Sequence, residues 1–198
     1  MSAAIDTPVH PPDDSLPETS QWLRRADRDA FTEVFRAFYV PLVRYAQRIT
    51  GDAASASDVL QDVFLKLWED RATLTVKVSL KALLYTMVRN RALNQHRRTR
   101  RIATDVILED LLDEQAQAPA PEQNLAAQNL QAHLHRWINE LPTRQAEAFT
   151  LSRYHGLKHS EIAAIMGISV RTVDTHILLA LRELRHRLDT LQDERHHD

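Results

Sequence analysis

The stretch Asp58-Val59-Leu60-Gln61-Asp62-Val63-Phe64-Leu65-Lys66-Leu67-Trp68 decides how this chain folds. Wound as a helix, it brings Val59, Leu60, Val63, Phe64, Leu67 and Trp68 to one apolar face at three- and four-residue steps. Asp58, Gln61, Asp62, Leu65 and Glu69 recur at the same steps on the other side. An acidic, amide-bearing face with one exposed leucine suits docking onto a helix of another protein. An ordinary amphipathic helix with a solvated face has the same spacing, so periodicity leaves both readings open.

The rest of the chain extends the helical reading. Its 198 residues are enough for two small helical cores. Glycine occurs only at Gly51, Gly156 and Gly167, and runs of β-branched residues are nearly absent, which points to an all-α protein. Cysteine is absent, which excludes disulfides, thiolate chemistry and cysteine-based zinc sites. Residues 1–20 hold four prolines and four acids with no basic start or apolar core. They read as a disordered arm and not as a signal peptide. No apolar run approaches the roughly 20 residues that span a bilayer, so the expectation is a soluble, cytoplasmic chain without membrane insertion.

Charge is segregated along the chain. The formal net charge is −2, but residues 1–101 carry 16 basic and 12 acidic residues, 102–127 carry six acids and no base, and 128–198 carry nine of each. The expected organisation is an arm at 1–20, a first helical domain at 21–101, an acidic linker at 102–127, a second helical domain at 128–190 and a tail at 191–198. In the first domain a helix is expected over Arg28–Thr50, with Phe31, Val34, Phe35, Phe38, Leu42, Tyr45, Ala46 and Ile49 inward and a kink or break near Val40, before Pro41. Gly51-Asp52 reads as a stop followed by a small-residue turn, then a helix over 57–69. The loop Asp70–Ser79 alternates Leu74, Val76 and Val78, too short a run to build a sheet. A third helix starts at about Leu80 and turns basic. Pro119 and Pro121 argue against a continuous helix through the linker, which has room for a short one at 105–114. Leu130, Leu134, Trp137 and Ile138 mark the next helix, Pro142 opens the one after it, and the Gly156 neighbourhood stops that.

Two segments carry nucleic-acid chemistry. From Leu157 to Val173 the chain has the layout of a helix-turn-helix: Ser160 to cap the first helix, small Ala163 at the crossing, Gly167 for the positive φ of the turn, Ser169 to cap the second helix, and Val173 and Ile177 returning to the core. A plain two-helix hairpin would not need Ala163, Gly167 and Val173 together. The front of the second helix would enter the major groove with Arg171, Thr172, Thr175 and His176 as base or phosphate contacts. Asp174, an acid near phosphates, is better read as orienting Arg171 or capping the helix. Lys158, His159, Arg182 and Arg185 suit phosphate, although Arg182 and Arg185 also fit a solvated surface. The second segment, Arg89–Arg101, holds six arginines together with Asn90, Asn94, Gln95 and His96 and no acid. Charge runs are usually solvated faces, but six uncompensated arginines on one helix call for a polyanion. No phosphate-binding glycine loop, Ser/His/Asp layout or isolated carboxylate pair is present, so no catalytic residue is expected. The histidine pairs His133/His135 and His155/His159 lie in polar helix or loop contexts, and no metal site or cofactor is expected.

Taken together, Tyr45-Ala46 with Gly51-Asp52, the Asp58–Trp68 helix, Leu84-Tyr85 with Val88-Arg89-Asn90, and Leu141-Pro142 with the helix-turn-helix resemble the extracytoplasmic-function (ECF) sigma factors of the sigma-70 family, from about Ala30 to Leu188. The resemblance implies a promoter-specificity subunit that keeps the family's second and fourth regions. It implies that Asp58, Gln61, Asp62 and Leu65, with Glu69 on the same face, dock on core RNA polymerase. Arg89, Asn90, Arg91, Asn94, Arg97 and Arg98, beside the Asp70–Ser79 loop, would capture and open the minus-ten promoter element. Lys158, Ser169, Arg171, Thr172, Thr175, His176 and Arg182 would read the minus-thirty-five element in duplex form. The acidic linker would run toward the RNA channel, and an anti-sigma factor joins polymerase and promoter DNA as an implied partner. Leu83 stands where the family often has tryptophan, and Asp174 and Ala146 are uncommon choices. The rival is a stand-alone regulator with a LuxR-like helix-turn-helix and an N-terminal sensor or dimerisation domain; an enzyme acting on nucleic acid is a third class.

Overall fold

The computed structural model describes residues 28–71, 73, 74, 76, 78–105 and 125–196, with side chains outside 99–105, 125–129 and 194–196. The expected arm at 1–20, the linker from 106 to 124 with its short helix, and the last two residues of the tail lie outside the described residues. Within them the chain forms seven helices and no strand: α1 Arg28–Thr50, α2 Ala53–Asp70, α3 Leu80–Asp105, α4 Leu125–Glu140, α5 Thr143–Arg153, α6 His159–Met166 and α7 Val170–His196. Leu74 and Val76 of the loop pack on the core without pairing into a strand.

Helices α1, α2 and α3 pack on one another as an N-terminal bundle. The apolar face of α2 lies at its centre, with Val59, Leu60, Val63, Phe64 and Leu67 all buried. Trp68 is half-buried in an aromatic cluster: Phe31 meets it edge-on at 5.1 Å, and Phe35 lies 4.8 Å from Phe64. Such ring pairs add about 0.5–1.5 kcal/mol each beyond the area they bury.

Two local expectations are corrected here. No break occurs before Pro41; α1 runs through it, because Phe38, Leu42, Tyr45 and Ala46 on either side are all buried and hold the helix where one backbone bond is missing. The small-residue turn after Gly51 is already helix, since Asp52 caps α2 by accepting from Ser55 N at 2.7 Å and Ala56 is fully buried. That bond holds the Asp52 carboxyl below its ordinary range. Further on, α3 starts at Leu80 as expected but continues through Asp105, past the 101/102 boundary.

Helices α4 to α7 form the second module. Trp137, Ile138, Leu141, Ala146, Phe149, Ala180 and Leu184 are its own core, and Arg187 on α7 ties α4 down by pairing with Glu140 as well as Glu183. Pro142 sits at the cap of α5, one position before the helix it was expected to open within. The two modules are not separate bodies. Ala148, Leu151, Leu157, Ile162, Ala163, Ile165, Met166 and Val173 join the residues of α1–α3 in a single continuous core, with α3 packed against α6.

Candidate polymerase and nucleic-acid interfaces

The outward face of α2 is intact as a surface. Asp58, Gln61, Asp62, Leu65 and Glu69 are all exposed, and Leu65 keeps 58% of its surface in water. A leucine left that open among acids on a rigid helix, with its opposite face anchored in the core, is a ready docking element. Asp62 is also engaged within the chain, since its carboxylate pairs with the guanidinium of Arg91 on α3. The face expected for polymerase and the helix expected for minus-ten DNA therefore share a contact.

On α3, Asn90, Arg91, Asn94, Arg97 and Arg98 are exposed, and Arg91, Asn94, Arg97 and Arg98 line one shallow, open depression. Arg100 and Arg101 are among the residues whose side chains are not described. The expectation of six uncompensated arginines is corrected in space: Arg91 meets Asp62, and Arg89 meets Glu147 of α5 through Nε at 2.7 Å and Nη2 at 3.3 Å. Burial lowers the Arg89 pKa, but the hydrogen bond and charge of Glu147 outweigh it, and the net shift is upward. No acid within Arg89–Arg101 announces these pairs, because both partners come from other helices.

The helix-turn-helix forms from α6, Gly167 and α7. Gly167 adopts φ +65°, and a Cβ there would meet nothing within 4 Å, so the backbone conformation and not crowding is the reason for glycine. Gly167→Ala is accordingly expected to destabilise the second module by about 1 kcal/mol, measured as a lower denaturant midpoint with unchanged slope. Ser169 caps α7 as expected, accepting from Thr172 N at 3.1 Å. Ser160 does not cap α6. The helix begins two residues earlier than a Ser160 cap would place it, at His159 with Lys158 as the cap, and Glu161 reaches back to accept from Lys158 N at 2.8 Å.

Arg171, Thr175, Lys158 and Arg182 are exposed; Thr172 and His176 are half-buried, which corrects their placement as freely exposed. Thr172 shares a hydrogen bond of 2.7 Å with the Ser169 hydroxyl, and Thr175 donates to the Arg171 carbonyl. His176 Nδ1 is buried with no hydrogen-bond partner. Asp174 turns neither to Arg171 nor to the cap. Its carboxylate lies 2.6 Å from His159 Nδ1, clipping the front of α7 to the start of α6.

Sequence reasoning missed His155 and Glu147. His155 was placed in a polar context, yet it is buried, edge-on to Tyr45 at 5.9 Å and hydrogen-bonded through Nδ1 to the Tyr85 hydroxyl at 2.8 Å. Burial, with Lys81, Arg48 and Arg44 adding positive charge, pushes its pKa down to about 4. Burial likewise raises the Tyr85 hydroxyl. Among the described residues, no group of three or more His, Asp or Glu is placed to hold a metal ion.

Comparison with known proteins covers both modules. Residues 34–102 match sigma-70 region 2, and residues 131–184 match sigma-70 region 4. The chain is 30% identical over 157 residues to the ECF RNA polymerase sigma factor SigL of Mycobacterium tuberculosis, covering 76% of this chain and 84% of the relative. The chain belongs to the sigma-70 family, in its ECF branch. RNA polymerase sigma factor YlaC of Bacillus subtilis is 26% identical over 84% of this chain and 96% of its own length. Among solved structures, the sigma factor RpoE in complex with the anti-sigma factor NepR, from Bartonella quintana, is similar at TM-score 0.63 and 25% identity. That similarity covers 80% of this chain and 96% of that one. The region 2 match over α1–α3 and the sigma-factor relatives set aside the stand-alone LuxR-like regulator. Sigma factors are regulatory subunits, and no single helix among the described residues is long and apolar enough to cross a membrane.

Proposed function

We propose that this ECF sigma factor binds core RNA polymerase through the outer face of α2, captures the minus-ten element on α3 and reads the minus-thirty-five element with the front of α7. It acts in the cytoplasm, where polymerase and promoters meet, and supplies no bond-making chemistry of its own. The observation that carries the reading is the separation of two chemically distinct surfaces. An acidic helix face centred on exposed Leu65 lies in region 2, and a capped recognition helix presenting Arg171 and Thr175 lies in region 4. The solved complex of a related sigma factor with its anti-sigma factor supports a similar antagonist here.

The two DNA-reading surfaces are separated by the form of DNA each meets. Arginine reads guanine through two parallel hydrogen bonds in the major groove, so Arg171→Ala is expected to cost roughly 1–3 kcal/mol at one base pair of the upstream element and to relax the choice there. Asn94→Ala leaves duplex reading alone and impairs strand capture. A pre-melted template rescues it only in part, because the few kcal/mol of unstacking are removed while the base contact stays lost. Transcription from promoters varied at single base pairs of both elements checks base choice, and permanganate footprinting of the reconstituted holoenzyme checks melting; normal melting and an unchanged minus-ten preference in Asn94→Ala would reduce α3 to an electrostatic landing surface.

A further inference from the structure

Halfway along α7 a group of leucines stands open to water. Leu178 keeps 66% of its surface exposed and Leu181 50%, with Leu179 beside them at 40%. Val173, Ala180 and Leu184, on the inner side of the same helix, are buried in the core. The helix therefore carries a second apolar patch facing outward, the kind that marks a contact with another surface. DNA reading gives this patch no use. The groove-entering residues lie at the front of α7, and a leucine has no donor to offer a phosphate.

The charges around the leucines say what covers them. At three- and four-residue steps α7 presents Arg171, Asp174, Leu178, Leu181, Arg185 and Asp189, all exposed, as one stripe about 27 Å long. The order of signs is plus, minus, two leucines, plus, minus. Reversed end to end it becomes minus, plus, two leucines, minus, plus, so every charge meets its opposite when the helix lies antiparallel on a second copy of itself. A parallel copy would set Arg171 on Arg171 and Asp174 on Asp174, which repel. A two-fold axis between Leu178 and Leu181 brings Leu178 of one copy onto Leu181 of the other, Asp174 onto Arg185 and Arg171 onto Asp189, each pair made twice. Asp174 already meets His159 Nδ1, yet 55% of its side chain stays exposed for an arginine.

We infer that α7 is a self-association helix: two copies of the chain pair antiparallel through this stripe as a weak, concentration-dependent dimer. The contact covers one helix face on each copy and falls short of the roughly 1,200 Å² of a stable interface, so a dissociation constant on the order of 10 µM is expected. Arg171 paired with Asp189 of the second copy cannot also offer its guanidinium to a base, so the dimer is a form that does not read upstream DNA. That consequence rests on the proposed role of α7; the dimer itself does not.

Sedimentation velocity of the full chain across about 1–200 µM, a range that brackets this constant, tests the pairing. Wild type is expected to pass from monomer to dimer. L178K, D174R and R185D are each expected to weaken the dimer at least ~10-fold, with helix content unchanged by circular dichroism. An equal mixture of D174R and R185D is expected to dimerise again, because the two arginines of one chain then face the two aspartates of the other. The chain has no cysteine, so a disulfide between L178C and L181C locks the same pairing. The locked dimer is expected to give no promoter-specific transcript with core polymerase until a reductant parts it. A wild type that stays monomeric at the highest concentration overturns the dimer, and loss of core-polymerase binding in L178K would then give the leucines to polymerase. Dimerisation that survives L178K and D174R, or a mixture that fails to rescue, overturns this pairing. A locked dimer that transcribes normally overturns the withdrawal of Arg171. Absence of a transcript from wild type as well would count against the proposed function, and sedimentation decides the dimer without it.

Discussion

Val63→Arg is expected to unfold the N-terminal bundle, while arginine at the neighbouring Asp62 leaves it folded and weakens polymerase binding. Val63 is 3% exposed between Leu60, Phe64 and Leu67. Its replacement forfeits about 1.5–3 kcal/mol of apolar burial and forces an unpaired guanidinium into the core, which costs several kcal/mol more. Those losses approach the whole stability of a domain, about 5–15 kcal/mol. Circular dichroism at 25 °C should show lost helix for Val63→Arg and native helix for Asp62→Arg. Asp62→Arg also sets a like charge beside Arg91, so Leu65→Arg, at a residue that takes no part in that pair, accompanies it. Both surface variants are expected to weaken core-polymerase binding at least ~10-fold, as loss of a central contact in an interface does. Native binding by folded Asp62→Arg and Leu65→Arg would take the outer face of α2 out of the interface, and a native melting temperature for Val63→Arg would contradict the packing of α2.

The second large effect is on pH. His155 has its pKa lowered to about 4 in the folded chain, against 6.5 when free. A depressed histidine pKa means that the unfolded chain takes up the proton first. The stability of this site is therefore complete above pH 6.5 and is lost progressively as pH falls toward 4. At pH 5 the loss amounts to about 2 kcal/mol, because the unfolded histidine is already largely charged while the folded one is not. The groups facing the ring are Tyr45, Tyr85, Lys81, Arg48 and Arg44, and none of them offers a charge that would welcome an imidazolium. Thermal melts are expected to drop by roughly 4–8 °C between pH 7.5 and pH 5. His155→Phe keeps a ring against Tyr45 and Tyr85, is less stable at pH 7.5 because the Tyr85 hydroxyl loses its partner, and shows a much flatter pH response. An equal slope in the variant would place the acid sensitivity elsewhere.

The helices were legible in the sequence because each buries a face whose spacing survives in one dimension. The α1 range, the start of α3 and the inward set of α2 follow from apolar residues at three- and four-residue steps. The turn at Gly167 follows from the one residue type at ease with positive φ. Local errors came from competition between nearby signals. Ser160 is a better cap than Lys158 in isolation, but Glu161 reaching back stabilises the earlier start. Ala53–Ser57 looks like a turn until Asp52 is seen to cap it. The contacts between modules left no local trace. Arg89 and Glu147 are 58 residues apart, Tyr85 and His155 70, and Ser79 and Glu161 82. Each residue is unremarkable in its own segment, and only the packing of α3 on α6 gives the pairs meaning.

The most direct measurement is run-off transcription with purified bacterial core polymerase across a library of promoter fragments, with the chain present or omitted. Core enzyme alone starts without promoter choice. Adding the chain is expected to give discrete start sites that share one minus-ten and one minus-thirty-five sequence, and to carry the chain into a stable complex with core enzyme in the absence of DNA. No complex with core enzyme, no promoter-specific transcript, and tight sequence-specific binding of duplex DNA by the isolated chain would together contradict it.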